Sequence, residues 1–434
     1  MNKTVYTLAF YFFLLNASIA QNIICGHDLV RASLEKKYPG YQNSIDKTFE
    51  TAKNYSKRLR QPNTTFTIPV VVHVVWNEAE EKIDSSLILS QIEILNEDFQ
   101  RLNEDADNIR DIFQPVVGNP MINFELQEII FVQTQSIYEF DLFSGALPDE
   151  VKFSNQGGSD AISPSTALNL WICKIQPLEF AGEFAGQLLG YAYPPNDLSN
   201  WPEEIEFPDG DFEGVVIDYR TIGRNNPFTI QILPGQEKQL VKGRVAVHEI
   251  GHYLGLRHTW GDLVLGFPNS CNADDGIEDT PNAGMQTVFE CNFMQNTCNE
   301  GDGDLPDMIE NFMDTADEEC QNSFTLGQVE LMRAVLELNR CELVEACQEV
   351  STKQLIQTNI NILPNPSSGL FHITSNANEI NLSNFDFNIF DSAGRIYPLK
   401  LNNNLVNLSD FPPGVYFFQG YNNTHIIQER LIKM

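Results

Sequence analysis

Apolar residues fall into contrasting patterns along the chain. Ile68-Pro-Val-Val-Val-His-Val-Val-Trp76 is a nearly continuous β-branched run, which predicts a buried strand. From Ser86 to Leu102 the apolar residues Leu87, Ile88, Ile92, Leu95 and Phe99 share one helical face, with Asp84 and Ser85 as cap candidates. Further strands are predicted at Ile122 to Val132, Leu168 to Ile175 and Gly214 to Tyr219, separated by loops rich in Gly, Pro and Asn. Helices are predicted from Lys242 to Gly255 and from Thr325 to Leu338, the second with Leu326, Val329, Met332, Val335 and Leu336 on one side. Together these elements predict a mixed α/β (α+β) domain over residues 66–350. Residues 21–65 are polar and charged, with helical spacing at Leu29-Val30, Leu34 and Tyr38, and read as a small leading segment outside any core. Beyond residue 357, short strands between turn residues, at 361–369, 387–390, 414–418 and 426–432, predict a small β-sandwich reaching residue 434.

Charge sharpens these boundaries. The formal net charge is −32, yet residues 351–434 carry 5 basic and 5 acidic side chains, so the excess lies upstream and the tail is a separate unit. Residues 262–320 hold 15 Asp or Glu and no Lys or Arg. Such a segment is either a solvated acidic surface or a place where cations or basic ligands relieve self-repulsion. The overall sign excludes nucleic acid, which needs a basic footprint. At the N-terminus, Lys3, the apolar stretch Leu8 to Leu15, and Ser18 and Ala20 at −3 and −1 of a cleavage predict a signal peptide over residues 1–20. No stretch approaches the roughly 18 uninterrupted apolar residues of a membrane span. Eight cysteines in an exported chain favour disulfides; Cys271, Cys291, Cys298 and Cys320 fall in the acidic segment, where four cysteines allow three connectivities.

The chemistry concentrates in Val247-His-Glu-Ile-Gly-His-Tyr-Leu-Gly-Leu-Arg-His-Thr-Trp260. His248 and His252, four apart on a helix, project from one face and can share a metal. Gly255 permits a left-handed residue that turns the chain and returns His258 as a third ligand. Three neutral imidazoles leave one position of a tetrahedral zinc open for water, as in catalytic sites. Glu249 lies beside the first ligand, placed to take a proton from zinc-bound water attacking a peptide carbonyl and to return it to the leaving amine.

This pattern is the metzincin signature, and Asn311-Phe-Met-Asp314 looks like its Met-turn, with Met313 as an apolar base beneath the histidines. The chain resembles the pappalysin family, specifically its bacterial cytophagalysin-like members, over residues 68–345, including Gly190-Tyr-Ala-Tyr-Pro194, Asp279-Thr-Pro281 and Phe324-Thr-Leu-Gly-Gln328. The resemblance implies a twisted mixed sheet with an active-site helix, and a secreted zinc endopeptidase. Family members commonly carry Tyr directly after the Met-turn Asp; Thr315 stands here, so the chain does without that donor or uses another.

The resemblance further implies structural calcium near Asp275 and Thr280, with Asp279 a contributor; Asp274-Asp-Gly-Ile-Glu-Asp-Thr280 supplies the hard oxygens calcium prefers. It implies the pairs Cys271–Cys298 and Cys291–Cys320; Cys341 and Cys347 are candidates for a third bridge, and Cys173 for a buried free thiol. Cys25, followed by Gly26, resembles the thiol of cysteine-switch zymogens, filling the open metal position until the leader is cut. Its alternatives are a disulfide with Cys173 or a free thiol. His27 and His73 read as structural. The resemblance implies that the region past the Met-turn borders the pocket for the residue after the scissile bond, and the acidic Asp317-Glu-Glu319 there predicts a preference for Arg or Lys at that position. Leu363-Pro-Asn-Pro-Ser-Ser-Gly-Leu-Phe371, Phe390 to Tyr397, Pro412-Pro-Gly-Val-Tyr-Phe417 and Glu429 to Lys433 resemble the sorting domain of the type IX secretion system, whose machinery would be a partner besides protein or peptide substrates. A monomer is expected. The competing functional reading is a zinc-containing binding protein of metzincin fold with little turnover; intact Glu249 counts against it.

Overall fold

The computed structural model describes residues 25–56, 64–141, 144–180, 182–195, 213–261, 271–301 and 303–347 of the first part of the chain, and most of residues 356–434. The predicted signal peptide lies outside the described residues. The chain divides into two compact units, Met1–Cys347 and Gln348–Met434.

The first unit is built on a five-stranded sheet. β1 (Phe66–Trp76) pairs in parallel with β2 (Ile122–Gln133) on one side and β3 (Leu168–Cys173) on the other. The edge strand β4 (Gly190–Ala192) runs antiparallel to β5 (Val215–Asp218), giving the order β2-β1-β3-β5-β4. Parallel strands are usually covered on both faces, and β1 is: Ile68, Val70, Val72 and Val74 pack on helices, while Val75 joins the opposite cluster. On the first face lie α3 (Ser85–Asp98), through Ile88, Ile92 and Leu95, and α4 (Arg244–Tyr253) with α5 (Leu326–Leu338). Asp84 caps α3 by accepting from the Ser86 amide, and Thr325 with Gln328 forms a capping box that starts α5.

The leading segment departs from expectation. It forms α1 (His27–Lys37) and α2 (Tyr41–Ser56), and its apolar residues are core residues. Leu29, Val30, Leu34, Tyr41 and Ile45 are buried with Trp171, Tyr191 and Val216 on the second face; Phe49 and Ala52 join the first cluster. The polar majority masked this: on α2 the buried positions Tyr41, Ile45, Thr48, Phe49 and Ala52 trace a narrow stripe at helical spacing. Each large apolar side chain so buried contributes about 1.5–3 kcal/mol relative to exposure.

The second unit is a β-sandwich. One sheet has five strands, centred on Gly414–Tyr421 and His425–Lys433; the other has three, at Asn361–Leu363, Leu370–Thr374 and Leu405–Asn407. Phe371, Ile373 and Val406 from one sheet meet Ile389, Phe418 and Leu431 from the other in a single core.

Candidate active site

α4 carries His248, Glu249 and His252, all buried. The helix ends at Tyr253, and Gly255, at φ +93°, turns the chain so that His258 comes back to the same point. His252 Nε2 lies 3.1 Å from His248 Nε2 and 3.2 Å from His258 Nε2. The outer nitrogens explain the orientation. His248 Nδ1 donates to the Phe312 carbonyl at 2.7 Å and His252 Nδ1 to the Leu256 carbonyl at 2.8 Å, which leaves each Nε2 a bare lone pair. Two lone pairs 3.1 Å apart repel unless a cation lies between them, and nitrogens about 2.0–2.1 Å from a tetrahedral zinc would be spaced much like this. Burial lowers the His248 pKa to about 4 and pushes His252 and His258 well below the ordinary imidazole value, so all three are neutral, as ligands must be. His258 also stacks on Trp260, ring centroids 4.3 Å apart.

Cys25 completes the cluster. Its sulfur and one ligand atom from each of His248, His252 and His258 all lie within 4.8 Å of one another. Cys25 is unpaired, as is the buried Cys173. The segment reaches the site along the free edge of β4: Cys25 bridges Gly190 in parallel, and the Gly26 amide donates to the Gly190 carbonyl at 2.8 Å. Beyond it, His27 stacks on His252 at 4.0 Å between ring centroids, and the Asp28 carboxylate lies 3.8 Å from His258 Nδ1. His27 is thus part of the site's cover. His73 is structural, held between Ser159 and Asn169 and stacked on Trp171. Glu249 is buried with one carboxylate oxygen lacking a partner, and burial raises its pKa to about 8.

Met313 is fully buried against the helix that carries His248 and His252. A Cβ at Gly251 would stand 2.4 Å from the Met313 sulfur, so only glycine lets the helix approach this floor. Asn311 shapes the turn: its side chain accepts from the Met313 amide and exchanges hydrogen bonds with Gln328 of α5. Thr315 donates its hydroxyl to the Thr287 carbonyl. Next to the cluster is a pocket lined by Leu189, Leu240, Val245, Phe289, Thr315 and Glu318. The three acidic residues beyond the Met-turn separate here. Asp317 pairs with Lys238, and the exposed Glu319 pairs with Lys242. Glu318 alone is buried toward the pocket; one oxygen accepts from the Val241 and Lys242 amides and the other has no partner. Arg244, also at the pocket, is taken up by Asp98 and Asp105.

In the acidic segment, Cys271 is bonded to Cys298, Cys291 to Cys320, and Cys341 to Cys347. Asp275 is buried, with one oxygen on the Ile277 amide and the other unpartnered; Asp279 Oδ1 and Thr280 Oγ1 are unpartnered too. Burial raises the Asp275 pKa well above the usual carboxylate value, which marks a group that needs a proton or a cation. Sequence reasoning took His27 as structural and Asn311 only as part of a motif, and did not single out Asp28, the stacking of Trp260 or the special position of Glu318. Only the proximity of His27 and Asp28 to Cys25 could have signalled them.

The sheet, the helix below it and the methionine floor are those of the metzincin class of metallopeptidases. Residues 233–337 match the peptidase family described as Pregnancy-associated plasma protein-A, and residues 361–434 match the Secretion system C-terminal sorting domain. Among solved structures, promirolysin from Tannerella forsythia, in a mutant form, is 32% identical with a TM-score of 0.59, covering 74% of this chain and 97% of that one. Mature mirolysin of the same organism, solved with a cleaved peptide, is 34% identical with a TM-score of 0.53, covering 65% and 97%. The chain belongs to this family, the pappalysins. Curated relatives include an extracellular metalloprotease of Colletotrichum graminicola, 31% identical over 32% of this chain and 42% of its own length. Another, from Arthroderma benhamiae, is 35% identical over 45% of this chain and 62% of its own length. The match thus spans less than two thirds of either relative. The sorting tail and the extracellular relatives mark an exported protein, and no helix among the described residues is long and apolar enough to cross a membrane.

Proposed function

We propose that this chain is a zinc endopeptidase, latent while residues 21–65 are attached, with His248, His252 and His258 as metal ligands and Glu249 as general base. The observation that carries this reading is the pair of bare imidazole nitrogens facing each other beside a buried, half-partnered carboxylate. Zinc in that position would polarise the peptide carbonyl and bring the pKa of water to about 7. The protein's own groups do the rest. The Phe312 and Leu256 carbonyls fix the ring orientations, Glu249 accepts the proton of the attacking water and hands it to the leaving amine, and the free edge of β4 offers backbone pairing to an extended peptide. Cys25 occupies that edge and the metal-facing position, which supports its role as plug. Thr315, with its hydroxyl on Thr287, is not available as a donor to the reacting carbonyl.

Glu318 supports a preference for Arg or Lys after the scissile bond: it lines a largely apolar pocket with one carboxylate oxygen buried and unpartnered, and the Arg244 charge there is already compensated. Sequencing the products of a peptide library should show basic residues at that position, and Glu318→Gln should weaken the preference; dominance of bulky apolar residues would refute it. Asp275, Asp279 and Thr280 fit a hard cation, and calcium there would brace the disulfide-linked loop. Calcium chelation should then lower the melting temperature of wild type and not of Asp275→Asn. Export through the type IX machinery is read from the sorting tail. The reading as a whole is tested by incubating processed protein with denatured casein: wild type should cleave it and Glu249→Ala should not.

A further inference from the structure

Besides the apolar residues of α1 and the start of α2 that pack on the second face of the sheet, the N-terminal segment is held at the thiol facing the histidines and at a second place. The second lies on α2, away from the metal. Phe49 is 6% exposed and packs under the Arg257 guanidinium, 3.9 Å from ring centroid to Cζ. Its ring also closes over Gly276, where a Cβ would stand 2.9 Å from it, so it rests on the loop that carries Asp275. Asp46 accepts from Arg257 at 2.9 Å. Ala52, fully buried, faces the core that α5 shares, and the Tyr55 hydroxyl donates to Glu337 of α5 at 3.0 Å. None of these contacts involves the metal-binding cluster.

Magnitudes decide which of them holds. The Asp46–Arg257 pair is partly exposed, and such pairs are weak. Phe49 is a desolvated aromatic anchor in a pocket, the kind of residue that dominates an interface. Charge adds a long-range attraction: residues 21–65 carry eight Lys or Arg against four Asp or Glu, in a chain of net charge −32.

We infer that α2 is a docking helix for the surface formed by α5, Arg257 and the Asp274–Thr280 loop, and that it keeps the N-terminal segment bound after the chain is cut between α2 and β1. The occupant of this surface is that segment itself. The inference rests on the latency reading of the same site and extends it: cleavage of the connection is insufficient for activation, and the cut segment acts as a dissociable inhibitor whose loss, by slow release or further degradation, opens the site. Cys25 blocks the chemistry, and the buried residues of α1 and α2, with Phe49 as the anchor on this surface, set the lifetime of the block.

The test uses the full chain with a site for a sequence-specific processing protease inserted at residues 57–63, in a Glu249→Ala background so that no peptidase activity is needed for the readout. After nicking, release of the segment is followed by size-exclusion chromatography and mass spectrometry. The nicked parent and its Cys25→Ser variant should both retain the segment. Phe49→Ala should release it on the order of a hundredfold faster, the equivalent of an emptied aromatic site. Asp46→Arg, at a half-exposed position that leaves the fold intact, should release it about tenfold faster and show steep salt dependence. Immediate release from Cys25→Ser, or a lifetime unchanged by both Phe49→Ala and Asp46→Arg, would overturn the inference. Because the readout is retention, absence of proteolysis in the Glu249-intact chain would count against the enzymatic reading and leave this result standing.

Discussion

The two sides of the histidine cluster are built on different plans. The inner side belongs wholly to the body of the domain: α4 supplies His248 and His252, their outer nitrogens are fixed by the Phe312 and Leu256 carbonyls, and Met313 closes the floor. The outer side is borrowed from the N-terminal segment. Cys25 faces the histidines, His27 covers His252, and the outer nitrogen of His258 faces Asp28 rather than a carbonyl of the body. The residues on both sides are largely buried, so density alone does not distinguish them. Connectivity does: the inner groups lie on a helix and a turn knit into the core, while the outer ones hang on two helices joined to β1 through residues 57–63. The lesson is that a site can be fully packed while one of its two sides hangs on a separate segment of the chain.

Changes on the inner side should therefore damage the site, and changes on the outer side should open it. The largest expected effect is His252→Ala, which should lower zinc affinity by more than the ten- to hundredfold that a lost outer hydrogen bond costs, measured by competition with a chromophoric chelator. Cys25→Ser in the same assay should cost far less, because three imidazoles remain. Equal losses would erase the distinction. Next, Met313→Ala should destabilise the domain by about 2–5 kcal/mol, the range for emptying a buried methionine site, read from urea unfolding; a value near zero would mean that the floor is not packed. On the outer side, Cys25→Ser should raise the activity of the unprocessed chain by roughly tenfold while α2 still restrains the segment.

The smallest effect concerns Asp105, the ion-pair partner of Arg244. Burial alone would raise the Asp105 pKa, but Arg244, Asn103 and Lys242 hold it well below the usual carboxylate range. A depressed native pKa means stability that is present above the unfolded value of about 3.9 and lost as pH falls through the native one. Asp105→Asn should thus be less stable than wild type at neutral pH by about 1–3 kcal/mol, and the gap should close below the ordinary carboxylate range. A gap independent of pH would assign the effect to packing.

Much of this was legible in the sequence because local rules carried it. The spacing of His248, His252 and His258 and the turn at Gly255 are consequences of helix geometry, and the strands at 68–76 and 168–173 announce themselves by composition. What was not legible depends on contacts distant in sequence. Phe49 meets Arg257 across more than 200 positions, and no periodicity predicts which cation a lone aromatic will find. The special position of Glu318 emerged only when Lys238 and Lys242 were seen to compensate Asp317 and Glu319. The leading segment was underrated for a related reason: its burial is confined to one stripe of each helix, and a stripe is easily lost among charged neighbours.

The central claim is that the histidine cluster and Glu249 form a zinc-dependent hydrolytic site covered by a removable segment. It is tested most directly by following casein cleavage by the chain after residues 21–65 have been cut away and released, with zinc removed and then restored. Cleavage that is lost on zinc removal, returns with zinc and is absent in Glu249→Ala at any zinc concentration is the predicted result. Cleavage by Glu249→Ala at the wild-type rate, or none by the wild type with zinc restored, would contradict it.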